Sequence, residues 1–298
     1  MCKNETDSSL WAYDCAQEYN VYYGGGTNSI YYQLYKDRFL PYDHWAITKL
    51  AYELATTRDS LKIMYFGCGN GRYFPIFEQI ASYFDTQQKS LTLIAYDPSQ
   101  EALSSFSDRL QSLGFTKLDQ SSNRNDYSSS SFQKGNMVIK MIRPLQTAMI
   151  DTLIKESGTV DITVCMFGVI SHIQTKQARI AIIKQLGEIT KEQILISVPS
   201  YRILKDERKA FEVIRKHKFR LQIDGKPLKL EEGDILYARN YGNIHVENFL
   251  HLYSSADEII GEIRSASLKL TADFNINRIA REATMMQKPL IGYVDKYL

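Results

Sequence analysis

Short, almost continuous apolar runs alternate along the chain with longer segments whose apolar residues recur every three or four positions. The runs are LKIMYF (61–66), LTLIAYD (91–97), NMVIKMI (136–142), VDITVCMFGV (160–169) and EQILISVPS (192–200). Each is short and bounded by turn residues, the pattern of a strand buried on both faces. The segments with helical spacing are HWAITKLAYELATTR (44–58), FPIFEQIASYF (74–84), PSQEALSSFSDRLQSLG (98–114) and QTKQARIAIIKQLGEI (174–189). Pro75 and Pro98 fall where a first helical turn tolerates proline, and Gly114 closes its helix. Strands alternating with helices predict a parallel sheet covered on both sides.

That pattern predicts the α/β class: a Rossmann-like, doubly wound, mostly parallel sheet with helices on both faces. The rest of the chain adds to it. Residues 1–45 form an N-terminal helical and aromatic arm or lid, with Gly24, Gly25 and Gly26 in a row and a helix near 28–40. The stretch 120–135 (QSSNRNDYSSSSFQKG) is serine-rich and without period, which predicts an exposed loop. Beyond 200 come a charged helix (202–217), turn signals at Asp224-Gly225 and Glu232-Gly233, and NFLHLYSSADEIIGEIRSASL, a strand with an attached helix. These are expected to be an insertion near the C-terminus, about 202–245, and the last elements of the same sheet, within one domain over 46–298.

Composition narrows the setting. Thirty-six basic and 34 acidic residues leave a formal charge of +2, so a nucleic-acid partner would need a local basic patch. The run RKAFEVIRKHKFR (208–220) offers one, or simply a solvated helix face. Four cysteines without CxxC spacing argue against a disulfide framework and against zinc, and no metal is expected. With no signal-peptide pattern and no apolar run near the ~18 residues a bilayer span requires, the chain reads as cytoplasmic, without a membrane partner. Tyrosine is enriched, with 20 copies, eight of them between positions 13 and 42.

Candidate chemistry concentrates where the first strand ends. Gly67-Cys68-Gly69-Asn70-Gly71 follows a buried strand and opens a helix. Glycines there permit positive φ and close approach of a ligand, and the helix offers unpaired N–H groups to an anion. The second strand ends at Asp97, 26 residues after Gly71. A carboxylate so placed can accept hydrogen bonds from both hydroxyls of a ribose, or cap the following helix. The dinucleotide fingerprint needs a further glycine at 72, and Arg72 followed by Tyr73 disfavours it. Cys68 reads as a small turn residue, with no activating base nearby in sequence.

The run GCGNGRY resembles motif I of the class I S-adenosylmethionine-dependent methyltransferases, and the Asp97 strand and VDITVCMFGVISHI extend the likeness over roughly 60–200. The resemblance implies an enzyme with S-adenosyl-L-methionine held by Gly67, Cys68, Gly69, Asn70, Gly71, Asp97, Pro98, Phe167 and Gly168.

Three stretches are similar to the tRNA wobble-uridine carboxymethyl methyltransferases: GCGNGRYF, GVISHIQTKQARIAIIKQL, and GDILYARN with NFLHLYSSADEI. They imply Arg179, His251 and Tyr253 at the substrate, with His172 matching a histidine of the motif. A carboxylate acceptor has no proton to lose; for an amine or hydroxyl His172, which follows the fourth strand at the carboxyl end of the sheet, is the candidate catalytic base. Tyr22, Tyr23 and Tyr31 are further substrate candidates, as aromatic rings on which a base could stack. Ser171 stands in place of a first histidine, Asn248 in place of an arginine, and Tyr237-Ala238-Arg239 in place of Val-Pro-Trp. The fourth strand is also similar to that of the mRNA cap guanine-N7 methyltransferases. The expected function is methyl transfer to an acceptor in RNA, of tRNA or cap type. Open alternatives are a small-molecule or protein acceptor, a partner protein that completes the site, and an inactive methyltransferase-fold interaction module.

Overall fold

In the computed structural model the five apolar runs become the parallel part of a seven-stranded sheet. It describes residues 41–123, 127–144, 157–198, 222–223, 226–227, 231–241 and 244–270. The elements in chain order are α1 (Pro41–Ala55), β1 (Ser60–Phe66), α2 (Phe74–Thr86), β2 (Ser90–Tyr96), α3 (Gln100–Ser112), β3 (Thr116–Asn123), β4 (Tyr127–Lys134), β5 (Met137–Pro144), β6 (Val160–Cys165), a 3-10 turn (Ile170–His172), α4 (Lys176–Ile189), β7 (Thr190–Ile196), the short β8 (Gln222–Ile223) and β9 (Lys226–Pro227), β10 (Asp234–Tyr241), β11 (Ile244–His251) and α5 (Ala256–Ser265).

The sheet order is β3-β4-β5-β2-β1-β6-β7. β1 pairs in parallel with both β2 and β6, β2 with β5, and β6 with β7. The chain thus runs outward from β1 to β5 and returns to the other side of β1 at β6. A reversal of this kind opens a crevice at the carboxyl ends of β1 and β6, where open α/β sheets bind ligands.

Alternation along the strands divides the core between the two faces. Leu61, Ile63 and Tyr65 of β1 pack with Leu91 and Leu93 of β2 and with apolar residues of α1, α2 and α3, such as Ile47, Phe77 and Phe106. Met64 and Phe66 point to the other face and meet Ile94, Tyr96 and the α4 residues Ile182, Ile183 and Leu186. Helices therefore cover both faces, as the sequence pattern predicts. Helix starts are chemically marked: Ser99 accepts from the Ala102 N–H at 3.1 Å, and Thr175 from the Ala178 N–H at 3.1 Å.

Two expectations fail. The serine-rich stretch 120–135 is no loop: most of it lies in β3 and β4, which add two antiparallel strands to the sheet through β5. Tyr127 and Phe132 are buried, so two aromatic anchors and ladder hydrogen bonds suffice to seat a strand of serines. The segments beyond 200 do not complete the main sheet either. β10 and β11 form a separate antiparallel hairpin. It docks through Phe249, Leu252 and Tyr253, which are buried. The N-terminal arm up to residue 40, the charged helix at 202–217 and the basic run 208–220 lie outside the described residues. Among the described residues no helix is long and apolar enough to cross a membrane. No group of three or more His, Cys, Asp or Glu among them could hold a metal ion.

Candidate active site at the carboxyl ends of the strands

The glycine turn is tied to its neighbours mainly by backbone. Gly67 and Cys68 N–H groups both donate to the Tyr96 carbonyl at 2.9 Å, fixing the turn to the end of β2. Gly67, Gly69 and Gly71 all have positive φ, at 70°, 53° and 80°. Packing reinforces the requirement: a Cβ on Gly67 would lie 2.5 Å from Val169, and one on Gly71 2.4 Å from the Phe106 ring. Arg109 of α3 donates from Nη1 to the Gly71 carbonyl at 2.9 Å.

Asp97 sits beside this turn with its carboxylate buried. Oδ2 accepts from the Gly69 N–H at 2.7 Å and Oδ1 from the Ser99 N–H at 2.9 Å. Burial raises its pKa to about 6, against the opposing pull of the Ser99 and Gly69 N–H groups. Each oxygen has a second acceptor position, so the group can still receive two hydroxyls. Pro98 behind it is buried. Burial pushes the Cys68 thiol well up, with the Asp97 charge adding to the shift, and this leaves a neutral packing residue.

The turn after β6 forms the opposite wall. Phe167 and Gly168 both take positive φ, at 61° and 75°. Ser197 at the end of β7 holds them, its Oγ accepting from the Phe167 N–H at 2.7 Å and its carbonyl from the Gly168 N–H at 2.9 Å. The Arg72 guanidinium lies 3.5 Å over the Phe167 ring, so the residue that breaks the dinucleotide fingerprint joins the first turn to the second. Nearby, Tyr73 donates from its hydroxyl to Oδ2 of Asp43 in α1. Burial lifts the Asp43 carboxyl to about 7, although the Tyr73 bond and the Arg72 charge pull it down.

His172 follows on the 3-10 turn. Its Nδ1 lies 2.9 Å from the Phe249 carbonyl of β11. A carbonyl only accepts, so Nδ1 carries the proton and Nε2 is the basic nitrogen of the neutral ring.

The three downstream substrate candidates make hydrogen bonds within the protein. Arg179 is buried; its Nε and Nη2 donate to Oε1 of Glu262 in α5 at 3.0 and 2.7 Å, and Nη1 to the Ile173 carbonyl at 3.3 Å. Tyr253 donates its hydroxyl to the other Glu262 oxygen at 2.8 Å. Burial alone would lower the Arg179 pKa, but the bond to Glu262 and the charges around it move it upward. His251 stands between Asp234, 2.7 Å from Nδ1, and Glu258, 3.1 Å from Nε2. These bonds tie the hairpin to α5 and α5 to α4. Tyr22, Tyr23 and Tyr31 lie outside the described residues.

The structure thus brings Gly67–Gly71, Asp97, Pro98, Phe167, Gly168 and His172 to one end of the sheet. Sequence reading missed Asp43 and Glu262. Arg72 had a signal, a cation directly after the glycines; a buried acid or amide has none before its neighbours are known.

No family model matches the sequence, and no curated protein matches it. Solved structures do. An S-adenosylmethionine-dependent methyltransferase from Clostridium acetobutylicum aligns over 81% of this chain and 86% of its own, with 14% identity and a TM-score of 0.48. An amino pentose methyltransferase from Micromonospora echinaspora, solved with S-adenosylmethionine bound, aligns over 80% and 88%, with 11% identity and a TM-score of 0.42. A sugar N-methyltransferase from Streptoalloteichus aligns over 80% and 82%, with 9% identity and a TM-score of 0.42.

Proposed function

We propose that the chain is an S-adenosylmethionine-dependent methyltransferase. The observation that carries this reading is the Gly67–Gly71 turn locked by its Gly69 N–H to Asp97 across the carboxyl ends of two adjacent parallel strands. Asp97 would accept the ribose hydroxyls, and the glycine turn would lie against the amino-acid end. Phe167 and Gly168 would close the site opposite, held in place by Ser197 and by the Arg72 stack.

The bound cofactor supplies an electrophilic methyl group on a sulfonium, and displacement at that carbon needs the nucleophile in line and water excluded. His172 is the chain's proton acceptor: with Nδ1–H fixed on the Phe249 carbonyl, Nε2 takes the proton of an N–H or O–H nucleophile. For the acceptor we carry forward a nucleotide of RNA, which rests on the resemblance of GVISHIQTKQAR to the tRNA enzymes. The second reading is a small-molecule acceptor, supported by the hydrogen bonds that Arg179, His251 and Tyr253 already make within the protein.

Calorimetric titration with S-adenosylmethionine tests the core of the proposal. Wild type is expected to bind at micromolar concentration, and Asp97→Ala to lose about tenfold or more, since hydrogen bonds to a charged group contribute about 1.5–3 kcal/mol. No binding by wild type, or equal binding by the variant, would sink it. Methyl transfer from labelled cofactor to total tRNA, with its salt dependence, separates the two acceptors.

A further inference from the structure

The turn that carries His172 holds polar atoms with nothing to bond. Both polar atoms of the Gln174 carboxamide, Nε2 and Oε1, are buried without a partner, and so is the Ser171 hydroxyl. Gln174 is 1% exposed and Ser171 fully buried. Leaving such groups unpaired costs a fold roughly a tenfold to hundredfold factor each in its folding equilibrium, so a natural chain rarely keeps them clustered without a use.

The backbone sets Gln174 close to His172. Ile173 is extended, at φ −83° and ψ 122°, and its side chain is buried in the core under α4. His172 ends the 3-10 turn, and Gln174 follows it across this single extended residue. The two α-carbons are then roughly 6–7 Å apart, about the width of a flat heterocycle.

We propose that Gln174 recognises the methyl acceptor through a planar CO–NH edge, of the kind uracil and guanine carry, while His172 faces the atom to be methylated. This rests on the methyltransferase reading above. A carboxylate would satisfy only the amide N–H and an ammonium only the amide oxygen; a CO–NH edge pairs with both in the amide plane. A site built this way rejects an analogue lacking the edge, because rejection leaves the buried amide unpaired again.

The test follows the Gln174 side-chain NH2 resonances by NMR in 15N-labelled full-length protein, assigned by their loss in Gln174→Met. Probes are uridine, guanosine and total tRNA; controls are 3-methyluridine and 1-methylguanosine, whose edge N–H is replaced by N–CH3, and methyl glucoside, which offers hydroxyls alone. The expected result is a shift with uridine or guanosine, or with tRNA, and none with the controls. A response to the free nucleosides assigns the edge to a small molecule, and a response to tRNA alone assigns it to a polymer. Gln174→Met is also expected to melt about 2–4 °C higher, because it removes an unpaired amide. Equal shifts with the blocked nucleosides, a response to methyl glucoside alone, no response to any probe, or a lower melting temperature for the variant would overturn the proposal. Titration with S-adenosylhomocysteine is run alongside. Its failure to bind would remove the methyltransferase reading, whereas the nucleoside arms, run without it, judge Gln174 separately.

Discussion

The two halves of the crevice treat their polar groups in opposite ways. At the end of β1 and β2 the Asp97 carboxylate is already bonded through both oxygens, and each glycine is braced by backbone or by a packed side chain. Ser171 and Gln174, on either side of His172, by contrast leave a hydroxyl and an amide buried and unsatisfied. One half is assembled before any ligand arrives, while the other keeps bonding capacity in reserve. A cofactor common to many reactions suits the first arrangement, and an acceptor that has to be told from its analogues suits the second.

The strongest way to break this contrast is to undock the acceptor half. Glu262→Ala leaves the Arg179 guanidinium buried without its carboxylate, and is expected to cost about 3–5 kcal/mol in urea unfolding. Binding of S-adenosylmethionine by the folded fraction should stay within about threefold of wild type. A parallel collapse of cofactor affinity would mean that the two halves are one unit. Next in size, His172→Gln should lower kcat about a hundredfold or more while leaving cofactor affinity unchanged, if the acceptor nucleophile carries a proton. An unchanged kcat would point to a carboxylate acceptor, which has no proton to lose.

Acidity sharpens the contrast from the cofactor side. Asp97 is raised from 3.8 to about 6, so below pH 6 its ionised form is depleted and affinity for S-adenosylmethionine should fall by up to tenfold per unit, with a plateau above. Stability runs the other way. A carboxyl raised on folding binds its proton more tightly in the native state, so stability is greatest below about 4 for this group and declines as pH rises to about 6. Asp43, raised to about 7, extends the decline by a further unit. Thermal melting and calorimetry across pH 4–8 should therefore give opposite slopes near 5. The smallest expected effect belongs to Phe167→Leu, which removes the ring under Arg72 and should cost about 1 kcal/mol of stability by urea unfolding.

The core and the glycine turn were readable in advance because both rest on short-range pattern. LKIMYF and LTLIAYD announce strands by continuous apolar character, and GCGNG announces its turn by the conformations only glycine adopts easily. The serine strand was not readable, since its two anchors, Tyr127 and Phe132, are lost among residues with no period. The contacts of α4 and α5 were unreadable for a different reason. Arg179 and Glu262 are 83 residues apart, and whether an arginine greets a substrate or a buried glutamate depends on a contact that no local pattern encodes. Gln174 is harder still, because what distinguishes it is the lack of a hydrogen-bond partner.

The bond that orients His172 comes from the main chain of Phe249 and not from a side chain. A carbonyl survives every amino-acid replacement at its own position. The hairpin that supplies it is therefore open to sequence drift without loss of the bond that fixes the His172 ring. Only changes that shift the path of the hairpin, such as an insertion or a proline, carry that risk.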